Sequence, residues 1–181
     1  MKIYSDTYYH LYNRGNNKDL IFFENDNYAY FLNQFKKYVC PFCDVYAYCL
    51  MPNHFHFFLR VNDEVLFEKG IKNFFISYSK AINKKYNRVG SLFQGRYKVS
   101  EIKSDNYYTT IIIYIHQNPV AASLIKKMED YKYSSYAAYL SRKSSMLDRN
   151  EVLQWFGGLD GFIIDHQAAL EYKEIEKLLK L

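Results

Sequence analysis

The chain has 181 residues, of which 49% are hydrophobic and 24% charged, with a formal net charge of +5. This fits a soluble globular protein of one domain with a sizeable core. The densest apolar runs, "IIIYI" and "FHFFL", fall far short of the roughly 18 residues a membrane span needs. The start "MKIYSDTYYH" lacks the apolar centre of an export signal, so a cytoplasmic, nucleoid-associated location with no membrane partner is expected.

In chain order, "TYYHLYNRG" (7–15) reads as a first strand ending at Gly15, with "NNKDLIFF" as the turn after it. Residues 25–40 place Tyr28, Phe31, Leu32, Phe35 and Tyr38 at helical spacing, with Asn25 or Asp26 as cap. Cys40, Cys43 and Cys49 are too few for a disulfide framework. A lone C-x-x-C without a second pair points to buried thiols rather than a zinc knuckle. "DVYAYCL" (44–50) and "HFHFFLRV" (54–61) are strand-like, and Met51-Pro52-Asn53 between them marks a hairpin.

A second amphipathic helix spans 71–87, with Ile71, Phe74, Phe75, Tyr78, Ile82 and Tyr86 on one stripe. Residues 89–102 carry two glycines and short strand-like pieces. A third helix over 104–118 should stop before Pro119. A further helix is expected near 129–141, then a mixed-charge segment over 148–181. The order β-α-β-β-α-β predicts an α+β, ferredoxin-like sandwich, an antiparallel sheet with helices on one face and added C-terminal helices. Residues 1–141 would form its body and 142–181 a helical extension packed on the same domain.

Charge is uneven along this frame. Between Lys69 and Lys103 there are nine basic residues and one acidic one, Glu101. A solvated helix face would mix signs, so the segment reads as facing phosphates. The 20 tyrosines and 14 phenylalanines add candidate surfaces for stacking on bases, although most must be core.

"MPNHFHFFLRV" (51–61) raises the chemical question. Strand alternation puts His54 and His56 on one side with Phe58 and Arg60, and the apolar Phe55, Phe57, Leu59 and Val61 on the other. The imidazoles would then stand roughly 6.5–7 Å apart at Cα, near enough to converge on one ion. They could equally be unrelated strand histidines, and two ligands alone make no site. On the third helix Ile111, Ile112 and Ile115 with Tyr108 form the buried stripe, while Tyr114 and Asn118 are i, i+4 neighbours at its edge. Taken alone, that pair reads as an edge tyrosine and a capping asparagine. His10, His116 and His166 are isolated in the sequence and suggest no function.

The segments "NRGNNKDLIFF", "YCLMPNHFHFFLRV", "GSLFQGRYK", "YIHQNPVAASLI" and "YKYSSYAAY", in this order across about residues 8–139, resemble the HUH single-tyrosine transposases, of the REP-associated tyrosine transposase type. The resemblance implies that His54 and His56 are the histidine pair, Tyr114 the nucleophile and Asn118 the third metal ligand, with Gln117 adjacent as an alternative. "NPVAASLI" departs from the more basic, glycine-containing form usual there. It further implies a divalent metal cofactor, single-stranded or hairpin DNA as partner, and cleavage and strand transfer through a 5′-phosphotyrosine; the mixed N/O ligand set suits Mg²⁺ or Mn²⁺, with Zn²⁺ left open by ligand type. Some relatives are homodimers.

Arg14, Lys80, Lys84, Arg88, Gln94, Arg96 and Lys98 would then contact DNA, Arg96 foremost, although Arg14 and Arg96 could instead serve structural ion pairs. Two rival readings stand beside this one. A domesticated hairpin-DNA-binding protein leaves the nucleophile unused, and an H-x-H metal hydrolase lacks further His or Asp ligands.

Overall fold

The structure is a computed structural model, which describes residues 2–104, 107–141 and 143–167. Four strands, β1 (Thr7–Arg14), β2 (Cys43–Met51), β3 (His54–Val61) and β4 (Lys98–Glu101), form one antiparallel sheet in the order β2-β3-β1-β4. That is the strand order of a ferredoxin-like sandwich, as expected. Helices α1 (Asn25–Tyr38) and α2 (Glu64–Lys85) bury Phe31, Phe35, Phe74 and Tyr78 against Tyr9, Leu11, Phe55, Phe57 and Leu59 of the sheet.

The opposite face is covered as well. Helix α3 (Tyr108–Ala121) lies on it with α4 (Tyr136–Tyr139), α5 (Arg149–Trp155) and α6 (Leu159–Gln167), around Tyr46, Phe58, Ile112, Ile115, Tyr139 and Phe162. The side of β3 that carries the histidines is therefore interior, and α3 is buried on nearly all sides. Ile113, Tyr114 and His116 are buried along with the expected stripe.

Two boundaries differ from the sequence reading, each for a local reason. Helix α2 begins at Glu64 rather than near Ile71, because the Asp63 side chain caps it by accepting from Leu66 N at 2.9 Å. Gly70 inside it is required by contact: a Cβ there would lie 2.1 Å from the Tyr38 carbonyl oxygen at the end of α1. Helix α3 runs through Pro119 to Ala121. The proline removes the N–H that would donate to Ile115 O one turn back, yet the helix continues two residues beyond it. The stop is a Schellman turn with Ser123 at φ 57°, Leu124 N donating to Pro119 O and Ser123 N to Val120 O, both at 2.9 Å.

The helix expected near 129–141 shrinks to a 3₁₀ turn at Met128–Asp130 and the single turn of α4. Between them the chain runs along the outer edge of β2. Leu50 N donates to Tyr133 O at 3.0 Å and Ser135 N to Tyr48 O at 2.9 Å. Asp148 N adds a bond to Val45 O at 2.9 Å. These backbone groups serve the sheet edge, which would otherwise be open to association. Cys40, Cys43 and Cys49 are free thiols. Among the described residues no helix is long and apolar enough to cross a membrane. The terminal stretch "EYKEIEKLLKL" lies outside the described residues.

Candidate active site

The hairpin tip that presents His54 is pinned from two sides. Met51 pairs with His54 across the two-residue turn Pro52-Asn53. Pro52 O accepts from Ile21 N and Phe22 N at 3.0 and 3.2 Å, and Asn53 O accepts from Gly15 N at 2.7 Å. Gly15 has no room for a side chain, since its Cβ would sit 2.0 Å from Asp19 O. The tight loop it permits turns Lys18 O toward Asn53 Nδ2, which donates to it at 3.1 Å. The amide oxygen of Asn53 is thereby left to accept from His54 Nδ1 at 2.6 Å.

His56 is anchored differently. Its Nδ1 lies 2.9 Å from Nε2 of His10 on β1, diagonal to it in a register that pairs Tyr12 with His56 and His10 with Phe58. The His10 and His56 rings lie parallel within 8° with centroids 5.1 Å apart, and the Tyr12 ring lies beside both, 4.8 Å from His10 and 6.1 Å from His56. The two β3 imidazoles meet edge to face with centroids 5.1 Å apart. Each has its Nδ1 engaged, which leaves Nε2 for a ligand.

Helix α3 brings Tyr114 edge-on to His56, at 5.7 Å and 85° between ring planes. Its side chain is interior, only 4% exposed, rather than at a helix edge. One turn on, Asn118 Nδ2 donates to Tyr114 O at 2.8 Å, which holds the amide with Oδ1 turned away from the helix backbone. His54, His56, Tyr114 and Asn118 line a single cavity of about 480 Å³. Gln117 faces elsewhere: it donates to His166 O at 2.9 Å and lines a different cavity with His166.

Burial holds both strand imidazoles neutral. His54 is pushed down to about 4 by desolvation and by the nearby Arg14 guanidinium. His56 lies well below the ordinary histidine range through desolvation, with His10 and His54 adding to the effect. Neutral imidazoles are the form that ligates metals. Among the described residues no three His, Cys, Asp or Glu side chains group as a metal cluster. A cation here would therefore be held by two imidazole nitrogens and the Asn118 amide oxygen. That sparse N/O set leaves positions open and fits an ion that keeps water or phosphate oxygens, such as Mg²⁺ or Mn²⁺.

Arg14, Gln94 and Lys98 line the same cavity, joined by Lys18, which the sequence reading did not single out. Arg14 Nε donates to Gln94 Oε1, and Gln94 N donates to Arg14 O at 2.9 Å. Lys98 stands over the Tyr12 ring at 5.9 Å. Tyr12 and Lys98 also border a small pocket with Arg96 and Tyr97. Arg96, Tyr97 and Lys80 border a third groove between α2 and residues 91–97. Basic and aromatic side chains thus follow one another from this cavity onto α2.

Arg96 is exposed and also meets Glu68 at 3.4 Å, a weak ion pair. Lys84 is exposed on α2, and the Arg88 guanidinium lies over Phe23 at 5.5 Å. Neither of these two is among the residues lining the cavity with His54 and His56.

None of the remaining three histidines is isolated. His10 supports His56, as described. Period-two alternation of β1 puts it on a face with Tyr8 and Tyr12, but pairing it with His56 takes the β1–β3 register, which no local signal supplies. His166 Nδ1 donates to Phe162 O at 2.7 Å, so its Nε2 accepts from His116 Nδ1 at 2.8 Å. His116 Nε2 in turn lies 2.7 Å from Ser135 Oγ. This buried chain ties α6 to the helix that carries Tyr114.

Residues 3–118 match the model of the IS200-like transposase family, a span running from before β1 to Asn118. A solved structure described as a REP-associated tyrosine transposase bound to a REP hairpin superposes with a TM-score of 0.65 at 17% identity, covering 82% of this chain and 91% of that one. Comparison with curated proteins gives no match. The sheet order, the paired histidines beside a helix-borne tyrosine and a family match over most of the chain agree, and the protein belongs to the IS200-like transposases.

Proposed function

We propose that this chain cleaves and rejoins single-stranded DNA through a covalent bond to Tyr114. The observation that carries the reading is the convergence of Tyr114, His54, His56 and Asn118 from β3 and α3 on one cavity with a basic rim. Hairpin binding alone would not require the phenol of Tyr114 to be set edge-on to the His56 imidazole in that cavity.

The Tyr114 oxygen attacks a backbone phosphorus, the bond to the 3′ oxygen breaks, and a 5′-phosphotyrosine and a free 3′-OH result. The phenol gives up its proton on attack and the departing 3′ oxygen takes one up. The phosphotyrosine conserves the bond energy, so a second 3′-OH can reverse the step and join a new strand with neither water nor a nucleotide cofactor. A free phenol, ordinarily near 10, is only about 0.1% ionised at neutral pH, so the attack requires charge stabilisation at the phosphate. His54, His56 and Asn118 would hold a Mg²⁺ or Mn²⁺, whose chemistry is to polarise a non-bridging phosphate oxygen.

Arg14, Lys18 and Lys98 balance phosphate charge at the cavity mouth. Tyr12, Tyr97 and Arg96 continue the path with stacking surfaces and a cation. The solved relative is bound to a hairpin, and we take a hairpin with a single-stranded flank as the substrate class here.

The test is incubation of end-labelled hairpin DNA bearing single-stranded flanks with protein and Mn²⁺, followed by a denaturing gel. A protein–DNA adduct is expected, and Tyr114→Phe should abolish it. An adduct that survives this substitution would remove Tyr114 from the role. Tight binding without an adduct across a hairpin library would instead make the chain a hairpin-binding protein.

A further inference from the structure

We infer that His10 is the positioning residue of the metal site, fixing which nitrogen of His56 carries the proton. The inference rests on the metal-dependent reading above. His10 is fully buried, yet it lies outside the cavity lining and is not placed to be a ligand. Its Nε2 and the Nδ1 of His56 are 2.9 Å apart, and the rings lie parallel within 8°.

A separation of 2.9 Å between the two ring nitrogens holds a single hydrogen, so for a pair of neutral imidazoles only two arrangements exist. If His10 Nε2 donates, His56 carries its remaining proton on Nε2, facing the cavity, and cannot bind a cation. If His56 Nδ1 donates, His10 Nε2 accepts and the His56 Nε2 lone pair is free. A cation can bind only in the second arrangement.

The second arrangement costs His10 something. Its proton then resides on Nδ1, a buried atom without a hydrogen-bond partner. An unpartnered N–H is the more costly of the two orphans. A core position that needed only to be filled would take leucine or phenylalanine, as its neighbours Leu11 and Phe58 do. Retaining an imidazole with an orphaned atom at a site where a hydrocarbon would fit is explained by the acceptor it offers His56. Ligating histidines are commonly oriented in this way, through a hydrogen bond to their second nitrogen. His54 obtains the same service from Asn53 Oδ1 at 2.6 Å. The two ligands therefore have separate supports, one in the hairpin turn and one in the sheet interior.

The experiment uses the full chain with Mn²⁺ alone as the probe. Loss of the free-ion electron paramagnetic resonance signal on titration gives the affinity. Nitrogen-15 spectra of the histidine rings in the Mg²⁺-loaded chain give the His56 tautomer. His10→Leu removes the acceptor, and His10→Gln keeps a carbonyl that can accept.

The expected result is a Mn²⁺ affinity weaker by about 10- to 100-fold in H10L, largely restored in H10Q, with a protonated Nδ1 and bare Nε2 on His56 in the wild-type chain. If H10L fails to fold, H10Q and His10→Phe carry the comparison, with the glutamine variant binding more tightly. Wild-type Mn²⁺ binding that the apolar variants leave unchanged overturns this inference and leaves the proposed function standing. A His56 ring protonated at Nε2 in the loaded chain does the same. Absence of any Mn²⁺ binding by a wild-type chain that nonetheless forms the adduct overturns the metal assignment and this inference together.

Discussion

Acidification is the perturbation this protein should tolerate least. All five of its histidines, His10, His54, His56, His116 and His166, are held below the ordinary range, mainly by burial. His10 stands at about 3 and His54 and His166 at about 4. In the unfolded chain each reverts to about 6.5, so the unfolded state binds more protons and stability falls as pH falls. The contribution is whole above the unfolded value and drains away from about pH 6.5 toward the folded values.

At pH 5.5 an unfolded histidine is about 90% protonated while these remain neutral in the fold, a penalty of about 1.4 kcal/mol each. Five such groups come to about 7 kcal/mol, comparable with the whole stability of many domains, about 5–15 kcal/mol. The assay is urea unfolding at pH 7.5 and 5.5 in the presence of a chelator. Fluorescence of the single Trp155, packed against Tyr46 and Tyr108, serves as probe. A difference under about 2 kcal/mol would show that the histidines are hydrated in the native state, and the reasoning from burial would fail.

Other outcomes are expected at single sites. Gly15→Ala forces a Cβ against Asp19 O and should lower stability in urea by about 1–3 kcal/mol, with weaker Mn²⁺ binding because the Lys18–Asn53–His54 chain shifts. His166→Leu leaves His116 Nδ1 without its acceptor and should cost about 1–3 kcal/mol in the same measurement. Arg14→Ala should reduce the slope of log K against log[salt] for single-stranded DNA by about 0.7, read by fluorescence anisotropy. A chelator should stop adduct formation while hairpin binding persists, and added Mn²⁺ should restore it.

The sheet was legible from the sequence because β3 alternates cleanly: Phe55, Phe57, Leu59 and Val61 all enter one core. The same-side pairing of His54 and His56 was legible too, from alternation, whereas the i, i+4 spacing of Tyr114 and Asn118 alone read as an edge tyrosine and a cap, and their candidacy came only with the family resemblance. What failed was the reading of surroundings. Tyr114 looked like an edge residue because the apolar cover over α3 comes from α4, α5 and α6, far along the chain. His10 looked idle because its partner lies 46 residues away. Pro119 looked like a stop, yet α3 continues two residues past it before the Schellman turn ends it. Segment 129–141 looked helical because sequence periodicity is blind to a sheet edge in need of partners.

The i, i+4 relation of Tyr114 and Asn118 has a mechanical consequence. The proposed attacking group and one of the three groups proposed to hold the ion ride on the same helical turn, joined by the Asn118 Nδ2 bond to Tyr114 O. The other two are fixed to the sheet. Any drift of α3 away from β3 withdraws both helix-borne groups at once, so the site acts as an interlock. On the proposed mechanism, Tyr114 would not be in place without Asn118, nor Asn118 without Tyr114. A displaced helix leaves a half-site of two imidazoles that grips cations weakly and cannot start a cut it lacks the means to finish.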